Sequence, residues 1–332
     1  MSNQTSIINK NNKKSVIENA AKIIFTACAL VAICAVFSIT LYMILNGLPA
    51  LQKVGITEIL FSSVWKPTAA DPSFGILYII LTSIVGTFAA ILIGVPIGIL
   101  TAVFLSEVAP PKLIAVVKPA VELLAGIPSV IYGLLGIMIL NPLMYKLELK
   151  LFEGSTTHQF TGGANLISAV LVLAVMILPT VINISEASLR AVPGYLKSAS
   201  LGLGASKIQT IFKVQIPAAK SGIMTAVVLG IGRAIGEAMA ITLVSGGSVN
   251  LPLPFNSVRF LTTAIVSEMG YSEGTHRQVL FTIGLVLFLF ISLINLGLTK
   301  FLKRHRCPSF LKHIVIVPAR HAPTRALLDF LR

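Results

Sequence analysis

Six long runs of apolar residues dominate the chain, and the polar connections between them carry most of its charge. The runs extend from about Ile23 to Leu45, Phe74 to Leu105, Ala120 to Leu140, Asn165 to Leu189, Gly222 to Val244 and Gln278 to Phe301. A helix needs about 20 apolar residues to cross the hydrocarbon of a bilayer, and each run meets that length. The pattern predicts an all-α integral membrane protein with six transmembrane helices. At 1.5 Å per residue the second run, of about 32 residues, is too long to stand straight. Gly94 and Pro96 offer a break or a kink within it. The first run follows a polar leader of about 22 residues, exceeds the apolar core of a cleaved leader and lacks an A-x-A site, so an uncleaved anchor is expected.

Composition agrees. Of the 332 residues 55% are hydrophobic and only 11% charged, and the mean hydropathy is +0.90. Soluble chains carry about 25% charged residues, so a water-soluble enzyme is excluded. A net charge of +14 would suit nucleic acid, but the placement of Lys and Arg says otherwise. With the N-terminus in the cytoplasm, the basic residues on that side are Lys10, Lys13, Lys14 and Lys22, then Lys112 and Lys118, then Arg190, Lys197, Lys207, Lys213 and Lys220. Eight more lie from Lys300 onward, whereas the other side holds Lys53, Lys66, Lys146, Lys150, Arg259 and Arg277, balanced by acids. This is the positive-inside bias, with both termini cytoplasmic and the lipid bilayer as default partner. No nucleic-acid module accompanies the charge, and no nucleic-acid partner is expected. The domains expected are a cytoplasmic segment over 1–22, a six-helix transmembrane domain over 23–302 and a basic cytoplasmic tail over 303–332.

Candidate chemistry is sparse. Cys28, Cys34 and Cys307 have neither metal nor disulfide spacing, and the five histidines lie outside the apolar runs, so no metal and no cofactor are expected. No G-x-x-x-x-G-K-[ST] loop occurs, which leaves nothing to bind and hydrolyse ATP. The chain reads as a transport subunit, not an enzyme.

The connection over about 190–217 is long for a loop. Pro193 can open a helix, and Leu196, Ala199, Ala205, Ile208, Ile211 and Phe212 recur at intervals of about three or four. Gly204 can take a positive φ and end the first of two short helices, and Pro217 ends the second and opens the fifth span. Periodicity alone leaves two readings open: a rigid cytoplasmic knob, or an amphipathic hairpin that binds only lipid headgroups.

Within this connection Ser198-Ala199-Ser200, Gly204 six positions after Ser198, and Val214-Gln215-Ile216-Pro217 stand at the spacing of the EAA loop of ABC-importer permeases, which the segment resembles. Glu186-Ala187-Ser188 is closer by letters but lacks the following glycine and proline at that spacing. Many members carry an acid where this chain has Ser198. Further blocks narrow the resemblance: Trp65-Lys66-Pro67 with Phe74-Gly75-Ile76-Leu77, Phe104 to Pro110, Ile127 to Leu134, and Gly232 to Ala240. Together they resemble the PstC-type permeases of bacterial phosphate importers over residues 20–305, the tyrosine-bearing Ile127–Leu134 block favouring that type over its PstA companion. The resemblance implies a permease of the bacterial cytoplasmic (inner) membrane with a coupling-helix loop. It implies that Ser198, Ala199, Ser200, Gly204 and Pro217 couple to a PstB-like ATPase dimer. It further implies a PstA-like second permease, a PstS-like phosphate-binding protein and inorganic phosphate as substrate, moved by alternating access. The alternatives are a permease for molybdate or sulfate, or a membrane scaffold or sensor of a phosphate-signalling complex.

Arg233 and Glu237 stand at i and i+4 in the fifth run, so they are expected on one helix face. Either they neutralise each other, or they line a translocation path in which guanidinium contacts phosphate and Glu237 tempers its field. Gly232/Gly236 and Gly94/Gly98 have small-xxx-small spacing, expected mainly for helix packing. Ser129, Thr180 and Ser185 could supply hydroxyls to a path, though such groups more often bond back to their own helix.

Overall fold

The computed structural model describes the backbone of residues 3–155 and 158–304, and side chains from residue 18 onward within those segments except at 298–299 and 301–304. In chain order the elements are α1 (Asn3–Lys53), α2 (Ile56–Phe61), the short antiparallel pair β1 (Trp65–Lys66) and β2 (Ser73–Phe74), and α3 (Leu77–Val103). A π-turn, Phe104–Val108, closes α3 and is followed by α4 (Pro111–Gly126), α5 (Ser129–Leu135), a second π-turn (Gly136–Leu140) and α6 (Asn141–Leu151). Next come α7 (Leu166–Arg190), α8 (Gly194–Gly202), α9 (Lys207–Thr210), a third π-turn (Ile211–Gln215) and α10 (Ile216–Ala218). The chain continues through α11 (Lys220–Gly236), α12 (Met239–Val244), α13 (Leu261–Glu268) and α14 (Gly274–Arg304). The tail expected from 303 lies, beyond Arg304, outside the described residues.

Among the described residues five stretches are long and apolar enough to cross a membrane: Glu18–Lys53, Leu77–Val108, Ser129–Leu151, Leu166–Arg190 and Gly274–Gly297. A sixth arises when Lys207–Ala218 and Lys220–Gly236, bent by 70°, are counted as one. Three boundaries differ from the sequence reading. The second span does not break at Pro96; it stays helical to Val103, and Gly94 serves helix contact instead. The third span begins at Ser129, not Ala120, because Ile127 before Pro128 is held extended at φ −70° and ψ 128°, so α4 stands as a separate helix. The fifth is interrupted at Glu237–Ala238, between α11 and α12.

Lipid offers no hydrophobic drive between helices, so their association depends on close packing. Helices α3 and α7 meet through glycines: a Cβ added at Gly94 would lie 2.7 Å from Ile177 and 2.9 Å from the Ala174 carbonyl, and one at Gly98 2.8 Å from Val181. The small-residue spacing in α3 is therefore packing. Helix α7 is the centre of the bundle; its apolar window is 61% buried, against 0% for α1. The core around it draws Ala90 from α3, Tyr132 from α5, Ala234 from α11, Ile241 and Val244 from α12, and Val258 and Phe260 from the loop beyond. From about Ile23 to Leu45 α1 is apolar all round, as suits lipid contact, and the helix packs along α14, where Thr282 Oγ1 donates to the Gly47 carbonyl at 3.0 Å.

Candidate translocation path and coupling segment

Arg233 lies in the fourth turn of α11, roughly 20 Å along the helix from its start at Lys220. It is half-buried, and its Nη1 donates to Thr180 Oγ1 of α7 at 3.2 Å. Glu237 is not its partner. The helix ends at Gly236, and Glu237 leaves it extended, at φ −72° and ψ 130°, so the expected shared helix face does not exist. Instead Glu237 Oε1 accepts from the Ala240 N–H at 3.0 Å, satisfying one of the free donors in the first turn of α12. Its backbone carbonyl accepts from Thr262 Oγ1 of α13 at 2.6 Å. Among the described residues Glu237 forms no ion pair, and its second carboxylate oxygen has no protein partner. Mutual neutralisation of Arg233 and Glu237 is thereby replaced by two separate anchorages, a hydroxyl for one and a helix start for the other.

Irregular backbone at membrane depth is tolerated where it is buried in protein or lines a cavity. The break at Glu237–Ala238 is such a place. Gly232 and Gly236 beside it have nothing within 4 Å of a built Cβ, unlike Gly94 and Gly98. Ser221, Thr225, Leu229, Gly232 and Gly236 form one exposed stripe along α11. The same small-residue spacing thus has two uses in the chain, one packed and one open. Of the three hydroxyls considered, Thr180 reaches Arg233, whereas Ser185 Oγ is buried without a partner. Ser129 opens α5, behind the break at Ile127–Pro128, which Tyr132 spans by donating to the Leu124 carbonyl at 2.7 Å.

The 190–217 connection folds as the two short helices expected. Gly204 has φ +85°, its N–H donates to Leu201 O at 3.0 Å and the Ala205 N–H donates to Ser200 O at 3.2 Å, the paired bonds of a Schellman end to α8. Ser206 and Gln209 then form a reciprocal capping box that starts α9. Of the candidate coupling residues, Ser200 Oγ lies 2.9 Å from Thr210 Oγ1 and pins the two helices together. Ser198 and Ala199 face outward on α8. Pro217 lies in α10, and the 70° bend into α11 falls after it, at Ala219. At the tip Tyr195, Leu201, Leu203, Ile208 and Phe212 are exposed, Leu203 at 90%.

Sequence reasoning missed the buried carboxylates. Glu186 of α7 pairs with Lys118 of α4 and with Arg190 one turn on; only the second spacing is legible in a sequence. Glu107, in the π-turn after α3, meets Lys197 of α8 at 2.6 Å across 90 residues of chain. At the opposite end of the bundle Glu268 accepts from Trp65 Nε1 at 3.1 Å, pairs with Arg259 and lies 2.7 Å from His276 Nε2. Glu148, fully buried, takes the Thr161 N–H at 3.0 Å and lies 2.8 Å from His158 Nε2. Glu148 and Glu268 are internal fasteners of the loops, not free countercharges of those loops.

Residues 94–306 match the family model described as "Binding-protein-dependent transport system inner membrane component". The chain is 40% identical over 304 residues to the "Probable ABC transporter permease protein YqgH" of Bacillus subtilis, covering 89% of this chain and 95% of that one. It is 35% identical over 245 residues to the "Phosphate transport system permease protein PstC" of Pasteurella multocida, covering 71% and 76%. A protein of the same description from Xylella fastidiosa is 34% identical over 283 residues, covering 81% and 85%. The helical spans, the open face of α11 and the two-helix segment with its Schellman glycine all sit in a multi-pass permease subunit whose ATPase is a separate chain. This protein belongs to the family of binding-protein-dependent ABC-importer inner membrane components.

Proposed function

We propose that this permease moves inorganic phosphate across the bacterial cytoplasmic membrane by alternating access, with both termini in the cytoplasm. It takes phosphate from a PstS-like binding protein, pairs with a PstA-like permease and is driven by a PstB-like ATPase dimer. The relatives described as phosphate permeases support the substrate. The observation that carries the reading is Arg233: a half-buried guanidinium held by a hydroxyl and without a carboxylate partner among the described residues. A central membrane charge costs several kcal/mol and persists where it has a use. Guanidinium offers five N–H donors in a fixed fork that matches the oxygens of phosphate. The free oxygen of Glu237, four residues on, suits an anion that still carries a proton. Phosphate does so near neutral pH, and sulfate does not, which favours phosphate over the other oxyanions.

On the cytoplasmic side Ser198, Ala199, Ser200, Gly204 and Pro217 belong to the segment that grips the ATPase, and the exposed apolar tip around Leu203 suits a hydrophobic cleft there. A hairpin that only bound lipid would need neither the Schellman lock nor the Ser200–Thr210 pin. ATP can shift the permease between outward and inward access only by binding the two states with different affinity.

The test is ATP-driven uptake of labelled phosphate by proteoliposomes holding the complete complex and its binding protein. Phosphate uptake that excess sulfate and molybdate leave unchanged is the expected result. Uptake of one of those anions in preference to phosphate would transfer the reading to another oxyanion.

A further inference from the structure

Helix α8 has no buried residue, so a force applied to it has few routes into the spans. Among the described residues two of its side chains bond elsewhere. Ser200 reaches Thr210 within the same two-helix segment, whereas Lys197 Nζ reaches Glu107 Oε2 at 2.6 Å. The Glu107 side chain is 7% exposed, and it stands in the π-turn Phe104–Val108 that closes α3. A second cation grips the same turn: Arg190, at the end of α7, donates from Nη2 to the Leu105 carbonyl at 3.4 Å. Arg190 in turn pairs with Glu186, which also holds Lys118 of α4. Helices α8 and α7 therefore both bond the π-turn that closes α3, a local irregularity that recurs at functional sites, and α4 is tied to α7 through Glu186. The chain also lacks an acid at Ser198, so the charge adjoining that position is Lys197, directed inward to the permease itself.

We propose that the Glu107–Lys197 ion pair is the link through which movement of α8 reaches the membrane spans, with Lys197 and Glu107 acting as positioning residues for coupled transport. The inference rests on reading 190–217 as the ATPase-gripping segment. A pair in this place transmits displacement in both directions: α8 cannot shift without drawing the end of α3, and the Glu186–Lys118 contact extends the pull to α4. Because Glu107 is nearly buried, removing Lys197 alone strands a carboxylate and confounds coupling with folding. The decisive variant removes both charges.

The experiment measures labelled phosphate transported per ATP hydrolysed, in the reconstituted full complex with binding protein. In Glu107→Gln/Lys197→Met no buried charge is left unpaired. A link predicts an assembled complex whose transport per ATP falls by about tenfold. The exchanged pair Glu107→Lys/Lys197→Glu is expected to recover most of that loss. A doubly neutral variant that transports at the wild-type ratio overturns the proposal and leaves the pair a fold contact. If the exchanged pair does not assemble, the doubly neutral variant decides alone. Gly204→Val separates the two claims, since a β-branched residue at φ +85° distorts the segment itself. Normal coupling in Gly204→Val refutes the segment assignment; loss there, with normal coupling in the doubly neutral variant, refutes only the link.

Discussion

Charged side chains in this protein differ in what holds them, and that difference separates fasteners from candidate contacts. Glu268 takes three partners from three elements: Trp65 of β1, Arg259 of the loop before α13, and His276 of α14. Each bond ties a different element, and both carboxylate oxygens are engaged within the protein. Glu268→Gln leaves Arg259 largely buried without its counter-ion, a change of about 3–5 kcal/mol. Thermal unfolding in detergent micelles is expected to move to clearly lower temperature; an unchanged midpoint would show the network to be ornamental. Arg233 is the opposite case. Among the described residues it has one hydroxyl partner, lies near a helix break and an open helix face, and keeps donors to spare. Its candidacy was legible in the sequence, because a lone Arg in an apolar run is costly. Its partner was not, since i, i+4 spacing identifies a neighbour only when the helix continues between the two residues.

At the scale of elements, glycines show how one sequence pattern serves two surfaces. Gly98 lets α3 lie against Val181 of α7, whereas Gly232 faces open space. Gly98→Val is expected to destabilise the bundle by about 1–3 kcal/mol through overpacking, while Gly232→Ala leaves stability nearly unchanged. Paired unfolding measurements check this, and equal losses would mean that the α11 face is packed after all. The six apolar runs were readable because membrane solvent imposes length and composition on each span. The break at Ile127–Pro128 carried a local signal, the extended preference before proline, yet the apolar run concealed it. The interruption at Glu237–Ala238 had no proline to mark it; it is held by a local bond from the Ala240 N–H and a tertiary one from Thr262. The fold of 190–217 was legible in outline, since Gly204 ends α8 in the left-handed region as expected, whereas the Ser206-x-x-Gln209 box that caps α9 went unread.

For the whole molecule, the orientation we propose rests on the placement of Lys and Arg, and the family implies a separate ATPase and a binding protein. The long-range pairs, Glu107 with Lys197 and Glu268 with Arg259 and Trp65, were invisible in the sequence because nothing in local spacing records them. Orientation yields a direct prediction. In a chain freed of its own cysteines, Leu203→Cys should react with a membrane-impermeant thiol reagent only from the cytoplasmic side. Leu253→Cys, on the exposed loop between α12 and α13, should react only from outside. The reverse pattern would invert the topology and remove the ATPase from reach of α8.

The most direct test of the account is labelled phosphate uptake in cells lacking their own equivalent permease, expressing the wild-type chain or Arg233→Gln with matched partners and equal membrane insertion. Charge-assisted hydrogen bonds contribute about 1.5–3 kcal/mol, so uptake should fall by at least about tenfold in the variant. Equal uptake by both chains would contradict the account, leaving an importer whose intramembrane arginine merely braces α11 against α7.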